Sequence, residues 1–352
     1  MPRGALSTSW FEDLFGFKEG GSYSGNQAHF RMEGETLVCE SAPKYKQQFV
    51  GRWSTPSLSE LRAELKAVDN GAGSPGLAFR HLGTPVGVEP LILDPANAGA
   101  VFQAASQFNA LEMTGPGLSP RRGVSGYIND PTQGPKCALA CPAGTVFRNY
   151  LVEHGVGSRG QGDGQIDCLA DVGTVVGNAG DKYWKMQNGY CLPSGAGSTR
   201  RLSKRLSAEP DLVEAAEAAL RVGVHWETQA RPPHEHRVCQ VYASALPVAY
   251  AHGSTSAADW EPFARLVLRA AYEATLSVGA IKARESGGDG ERVAVFLTAL
   301  GGGAFGNRLG WIVDALRAAL ETHRDSPLDV TLVHYGTRVP DEWREGCGEI
   351  AS

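Results

Sequence analysis

Between Arg292 and His334 the chain runs apolar strand, glycine turn, amphipathic helix and apolar strand, and no other stretch constrains the fold as tightly. Val293-Ala294-Val295-Phe296-Leu297 is a continuous apolar run of strand length, the pattern of a strand buried on both faces. Three glycines, Gly301-Gly302-Gly303, then lead into a helix predicted over 309–322, and Leu328 to His334 reads as the next strand. Strands joined through a helix in this way are parallel, so the segment predicts a mostly parallel sheet with right-handed crossovers. Upstream, 238–242 reads as another buried strand. Trp260 to Val278 reads as a helix with Phe263, Leu266, Val267, Ala270, Ala271 and Ala274 at helical spacing and Asp259 near its start.

With 352 residues the chain can bury a sizeable core, as one large domain or two ordinary ones. Hydrophobic residues at 42% and charged residues at 20% place it among globular proteins, and the 44 glycines predict many tight turns. A net charge of −5 argues against a chain whose main business is gripping a nucleic-acid backbone. The first residues, Met1 to Trp10, hold no apolar core of signal-peptide length, and no run approaches the roughly 18 apolar residues of a membrane helix. The expectation is a soluble chain without a membrane partner, cytoplasmic or nuclear. Seven scattered cysteines, an odd number, suit free thiols in a reducing compartment, with one regulatory disulfide left open.

The remaining chain reads as one elaborated domain. Residues 1–80 form an N-terminal extension, with a short aromatic helix around Trp10, Phe11, Phe15 and Phe17. Two short strands follow, turned at Glu33-Gly34, and then a helix from Leu58 to Val68 that Ser57 or Ser59 can cap. Residues 70–76 break the chain. Residues 115–237 are rich in Gly, Pro, Asn and Asp with interspersed aromatics, and read as a loop-rich insertion facing a ligand. Within it, 209–222 is a predicted helix and 182–190 a strand–turn segment with an Asn-Gly turn. The basic run Arg200-Arg201-Leu202-Ser203-Lys204-Arg205 reads as a solvated loop, with an anion-contact or phosphorylation role left open.

Consecutive glycines let backbone N–H groups approach an anion, and the following helix adds its positive end. In an open α/β sheet ligands lie at the carboxyl ends of strands, where the Gly301–Asn307 turn falls, and Phe305 can cover a ribose or a base. The turn is neither Gly-x-Gly-x-x-Gly nor a Walker A loop. The alternative is a tight strand-to-helix corner with no ligand.

Leu297-Thr298-Ala299-Leu300-Gly301-Gly302-Gly303-Ala304-Phe305-Gly306-Asn307 and the helix and strand after it resemble the second phosphate loop of macrodomains. The strand and helix just upstream fit as well, so residues 238–340 carry the resemblance. It implies an α/β fold, a three-layer α/β/α macrodomain-like sandwich on a mixed, mostly parallel sheet, with a long central insertion. It implies ADP-ribose as ligand, held at Gly301, Gly302, Gly303, Phe305, Gly306 and Asn307, and no cofactor. Ala100 to Asn109, continuing to Met113, is the counterpart of the family's strand with paired asparagines. The usual Asn-Ala-Ala-Asn is absent, as is the Gly-Gly-Gly with Gln-Glu-Glu of poly(ADP-ribose) glycohydrolases.

On that reading Asn109 hydrogen-bonds the distal ribose, and Glu112 is the general acid or base at its anomeric carbon. The alternative for Glu112 is an ordinary loop carboxylate. Tyr127, Asp130 and Gln133 lie in a polar segment where Asp130 and Gln133 can orient a water or a ribose hydroxyl, Asp130 as a second catalytic carboxylate. The alternative there is an Asp-Pro turn satisfying its own backbone. Arg148 can meet a pyrophosphate and Tyr150 a base, or Arg148 can pair with a surface carboxylate. His234, His236, Cys239, Cys137 and Cys141 can supply metal ligands, but neither spacing is a familiar zinc knuckle, and no metal is assigned. A nucleophilic Cys141 or Cys239 paired with a histidine has no local signature. The expected function is an ADP-ribose-recognising hydrolase acting on an ADP-ribosylated macromolecule or an ADP-ribose derivative. The alternatives are a non-catalytic reader and a structural protein that has lost the ligand.

Overall fold

A computed structural model describes residues 6–67, 75–155, 157–250, 255–285 and 291–348. Seven strands form its central sheet: β1 (Trp53–Ser54), β2 (Ala78–Thr84), β3 (Val101–Ala105), β4 (Gly223–Gln229), β5 (Arg237–Ala243), β6 (Val293–Thr298) and β7 (Leu328–Tyr335). Their order is β1-β4-β5-β3-β6-β7-β2. The five strands from β5 to β2 are parallel, while β4 runs antiparallel to both β5 and β1. The sheet is thus mixed and mostly parallel.

Alternation along the strands explains why both faces are covered. Val101, Cys239, Val241, Val295 and Leu297 enter one core with the long helix Ala257–Glu285 and the helices Leu58–Ala67 and Leu309–Thr322. Phe102, Ala104, Tyr242 and Phe296 enter the other, beneath the helices Glu89–Leu93 and Gln133–Ala140. Phe102 and Phe296 stand side by side in register, their rings stacked at 4.6 Å. The result is the three-layer α/β/α sandwich expected from the macrodomain resemblance.

Two helix starts carry reciprocal capping boxes. Ser57 Oγ accepts the Glu60 amide at 3.2 Å while Glu60 accepts the Ser57 amide at 2.7 Å, which selects Ser57 over Ser59 as the cap. Ser256 and Asp259 exchange the same bonds at the start of the long helix, which runs beyond both predicted ends. The expected end at Val68 and the break over 70–74 lie outside the described residues.

Three boundaries differ from the sequence reading. β1, inside the expected N-terminal extension, and β2, which starts at its end, form the two edges of the central sheet, paired with β4 and β7. β4, inside the expected insertion, is a sheet strand whose bulge between His225 and Thr228 breaks the alternation that would have revealed it. The basic run is not a loop. Arg200 to Arg205 lie in the helix Ser198–Ala208, which buries Thr199, Leu202, Ser203 and Leu206 at helical spacing beneath its arginines. Elsewhere the short strands Arg31–Glu33 and Thr36–Val38 and the hairpin Trp184–Gln187/Tyr190–Pro193 stand where the turn residues predict, with Asn188 at φ 48°. Among the described residues no helix is long and apolar enough to cross a membrane.

Candidate functional site

β3 and β6 are neighbours and parallel, so the segments leaving their carboxyl ends share one rim of the sheet. After β3 the chain turns through Ser106 to Met113. Asn109 Oδ1 accepts the Leu111 amide at 3.1 Å, and its Nδ2 donates to Gln165 Oε1 at 2.8 Å. Between them Ala110 is held at φ 56°, a left-handed conformation that costs a non-glycine residue about 1 kcal/mol. The turn delivers Glu112 to the interior. Its amide donates to Tyr127 Oη at 3.0 Å.

The Glu112 carboxylate faces Arg148, with Nη2 to Oε2 at 3.5 Å and side-chain exposures of 1% and 0%. Arg148 also donates to Ala110 O at 2.8 Å and to Thr145 Oγ1 at 3.3 Å, and its guanidinium lies 3.6 Å over the Tyr242 ring. Among the described residues Glu112 Oε1 and Arg148 Nη1 have no partner, and neither amide atom of the buried Asn149 side chain has one. Buried polar atoms left open in this way are costly, and their clustering marks a candidate ligand site. Burial pushes the Glu112 carboxyl up to about 8 against the opposing pull of Arg148. Arg148 and Asn149 stand on a π-helical turn, Phe147–Leu151, an irregularity frequent at functional sites.

Gln133 closes the end of β3: its Oε1 accepts the Ala105 amide at 2.8 Å, and its Nε2 donates to Gln103 O at 2.7 Å. Asp130 lies close enough to Tyr190 for its charge to help keep that hydroxyl protonated, but its carboxylate is engaged locally. Its Oδ1 accepts the Thr132 amide at 2.8 Å, the local turn that was the alternative for it. Arg148 is enclosed with Glu112 rather than lying at the surface, so its guanidinium serves a buried carboxylate and not an exposed one. Tyr150 is likewise buried, donating to Glu19 at 2.6 Å instead of offering its face to a base.

The Gly301–Asn307 turn leaves the neighbouring strand. Gly301 adopts φ 71°, and a Cβ there would stand 2.4 Å from Ala245 Cβ, so glycine is required. Asn307 is buried and donates to Leu246 O at 2.9 Å, pinning the turn to the segment after β5. Gly302, Gly303 and Ala304 are exposed. The amides of Gly303, Ala304 and Phe305 make no hydrogen bond among the described residues, and no side chain caps the helix that follows. A run of open N–H groups beside an uncapped helix start is an arrangement that holds anions.

Tyr190 links the two rim segments. Its hydroxyl donates to Met113 O at 2.7 Å, and its ring lies 5.6 Å from Phe305 and 5.4 Å from Tyr250. Glu112, Tyr127 and Arg148 are thus in direct contact, Asn109 shapes the turn that leads to them, Gln133 closes the strand end before it, and Tyr190 connects this turn to Phe305 of the glycine turn, with Asp130 near Tyr190. Sequence reading gives Tyr242 as part of a buried strand and Tyr190 as part of a strand–turn segment, but not their contacts with Arg148 and Met113, and it gives no signal for Asn149.

The cysteine alternatives do not fit. All seven cysteines are buried and unbridged, and burial pushes the Cys141 and Cys239 thiols up to about 12, leaving no thiolate near neutral pH. His236 Nε2 is engaged with Ile92 O at 2.8 Å.

Fold and site together define an α/β protein with a glycine turn of open amides and an enclosed carboxyl–guanidinium pair on one rim of a mostly parallel sheet. No family model matches the sequence, and no curated protein does. Among solved structures, the chain is similar to poly(ADP-ribose) glycohydrolase from Deinococcus radiodurans in complex with ADP-ribose. That likeness has 11% identity and a TM-score of 0.44 over 84% of this chain and 93% of that one. It is also similar to the poly(ADP-ribose) glycohydrolase from Thermomonospora curvata, with 10% identity and a TM-score of 0.42 over 84% of each chain.

Proposed function

We propose that the chain binds ADP-ribose at this rim and hydrolyses the bond between its distal ribose and an acceptor, either a macromolecule or a small group. The observation that carries the reading is the juxtaposition of the exposed glycine turn, with its open amides, and the buried Glu112 with an open oxygen. The diphosphate lies on the amides of Gly303, Ala304 and Phe305. Phe305 and Tyr250, both half-buried, offer aromatic faces to ribose or base, with the buried Tyr190 packed behind them. The motif over 297–307 adds the ligand class through its resemblance to the macrodomain phosphate loop.

Glu112, with a midpoint raised toward neutrality, is suited to move a proton at working pH. It gives its proton to the leaving oxygen as the bond to the anomeric carbon breaks. Water then forms the new carbon–oxygen bond and returns its proton to the carboxylate. Arg148 holds the carboxylate between the two steps, and Asn109 shapes the turn that presents Glu112. Asp130 is the weaker catalytic candidate, since its carboxylate already serves its own turn.

The enclosure of Glu112 favours one second reading, a binding protein without turnover, because a substrate reaches the carboxylate only if its cover parts. Glu112→Gln separates the two. For a hydrolase the variant loses turnover by at least roughly a hundredfold and keeps its affinity for ADP-ribose. A wild-type chain that binds but releases no ADP-ribose from an ADP-ribosylated peptide is the reader.

A further inference from the structure

Glu19 lies in the N-terminal segment, far in sequence from Glu112, and its carboxylate makes three hydrogen bonds. Oε1 accepts the Val124 amide at 2.9 Å and the Tyr150 hydroxyl at 2.6 Å, and Oε2 accepts the Ser125 amide at 2.5 Å. The approach depends on Gly123, at φ 80°, where a Cβ would stand 2.1 Å from the Glu19 carboxyl carbon. The two amides open the 3₁₀ turn Ser125–Asn129, which has no side-chain cap of its own. Glu19 supplies that acceptor from outside.

Each element that Glu19 ties holds one member of the buried pair. The Ser125–Asn129 turn carries Tyr127, whose hydroxyl holds the Glu112 amide. The Phe147–Leu151 turn carries Tyr150 and, on the same turn, Arg148, which faces Glu112. We propose that Glu19 is a positioning residue for the Glu112–Arg148 pair, clamping the two turns that hold its members. The part it would play in catalysis rests on the hydrolase reading above.

The clamp is separable from the docking of its segment. Trp10, Phe11, Phe15 and Phe30 pack in one buried cluster with Leu111, Tyr127 and Tyr150, and Trp10 Nε1 donates to Ser125 O at 2.9 Å. Glu19→Gln therefore leaves the segment in place while one carboxylate oxygen becomes a donor that cannot accept an amide. Tyr150→Phe removes only the hydroxyl leg.

The test is carbon-13 NMR titration of the Glu112 carboxyl, assigned by its loss in Glu112→Gln, in the full chain with and without each clamp variant. Loosened turns admit water, so the Glu112 midpoint falls toward the ordinary carboxylate range by about half a pH unit or more in Glu19→Gln, and by less in Tyr150→Phe. A folded Glu19→Gln with an unchanged midpoint overturns the proposal, and Tyr150→Phe decides the same question if Glu19→Gln does not fold. The readout needs no turnover. A wild-type chain that fails to cleave ADP-ribosylated peptide while Glu19→Gln moves the midpoint sinks the hydrolase reading and leaves the clamp standing. In an active chain, Glu19→Gln lowers kcat at least tenfold with KM nearly unchanged, whereas a merely structural residue leaves the pH profile of kcat where it was.

Discussion

Glu112 is the residue on which chemistry and stability meet, and the two pull in opposite directions. Burial holds its carboxyl at about 8, above the ordinary value of 4.5, so between those pH values the folded chain keeps a proton that the unfolded chain has released. Its contribution to stability is fully present below pH 4.5 and is lost as pH rises to about 8. Urea melts of wild type should show that loss, by up to about 1.4 kcal/mol per pH unit, and Glu112→Gln should flatten it. A variant with the wild-type slope would mean that the carboxyl titrates in its ordinary range. The residues of the cluster were legible in unequal measure. Tyr127, Gln133 and Arg148 stand out as polar or aromatic groups in a glycine- and proline-rich stretch, whereas Asn109 and Glu112 were reached only through the macrodomain resemblance. What each one does was not legible, because Gln133 closing β3 and Arg148 meeting Glu112 depend on contacts across the fold.

At the scale of elements, periodicity and caps did most of the specifying. Ser57 and Glu60 exchange backbone-satisfying bonds at the start of the helix Leu58–Ala67, and Ser57→Ala should lower stability by about 1 kcal/mol in chemical melts, while an unchanged midpoint would refute the capping role. The outer strands add a pH-dependent contact. His81 Nδ1 and His334 Nε2 lie 2.9 Å apart on β2 and β7, and burial, with His81 beside it, holds His334 down at about 4. Between pH 4 and 6.5 the unfolded chain therefore binds the extra proton, so this contribution is present above 6.5 and lost as pH falls toward 4. His334→Gln should make the chain lose less stability across that window than wild type does, measured by melts at pH 4.5 and 7. Equal losses would place the acid sensitivity elsewhere. This slope opposes that of Glu112, and the two variants separate them. Strand β4 and the helix Ser198–Ala208 escaped the sequence reading for physical reasons: a bulge broke one alternation, and a dense arginine face masked the other buried stripe.

For the whole molecule, the C-terminal order of strand, turn, helix and strand was enough to imply a parallel sheet, because a buried apolar strand followed by a helix admits few other arrangements. The two edges of the sheet were not legible. β1 is two residues long and β2 lies far from its partner β7 in sequence, so only tertiary packing places them. The central claim is that the rim of this sheet binds ADP-ribose through the Gly301–Asn307 turn. The most direct test is calorimetric titration of the wild-type chain and of Gly303→Glu with ADP-ribose. A Cβ at Gly303 meets open space, so the variant adds a negative charge to the turn without disturbing the packing. Micromolar binding by wild type, weakened at least tenfold in a Gly303→Glu variant of unchanged melting temperature, is the predicted result, a loss of about 1.4 kcal/mol or more. No heat from wild type at millimolar ligand, or equal affinity in the two proteins, would contradict the claim.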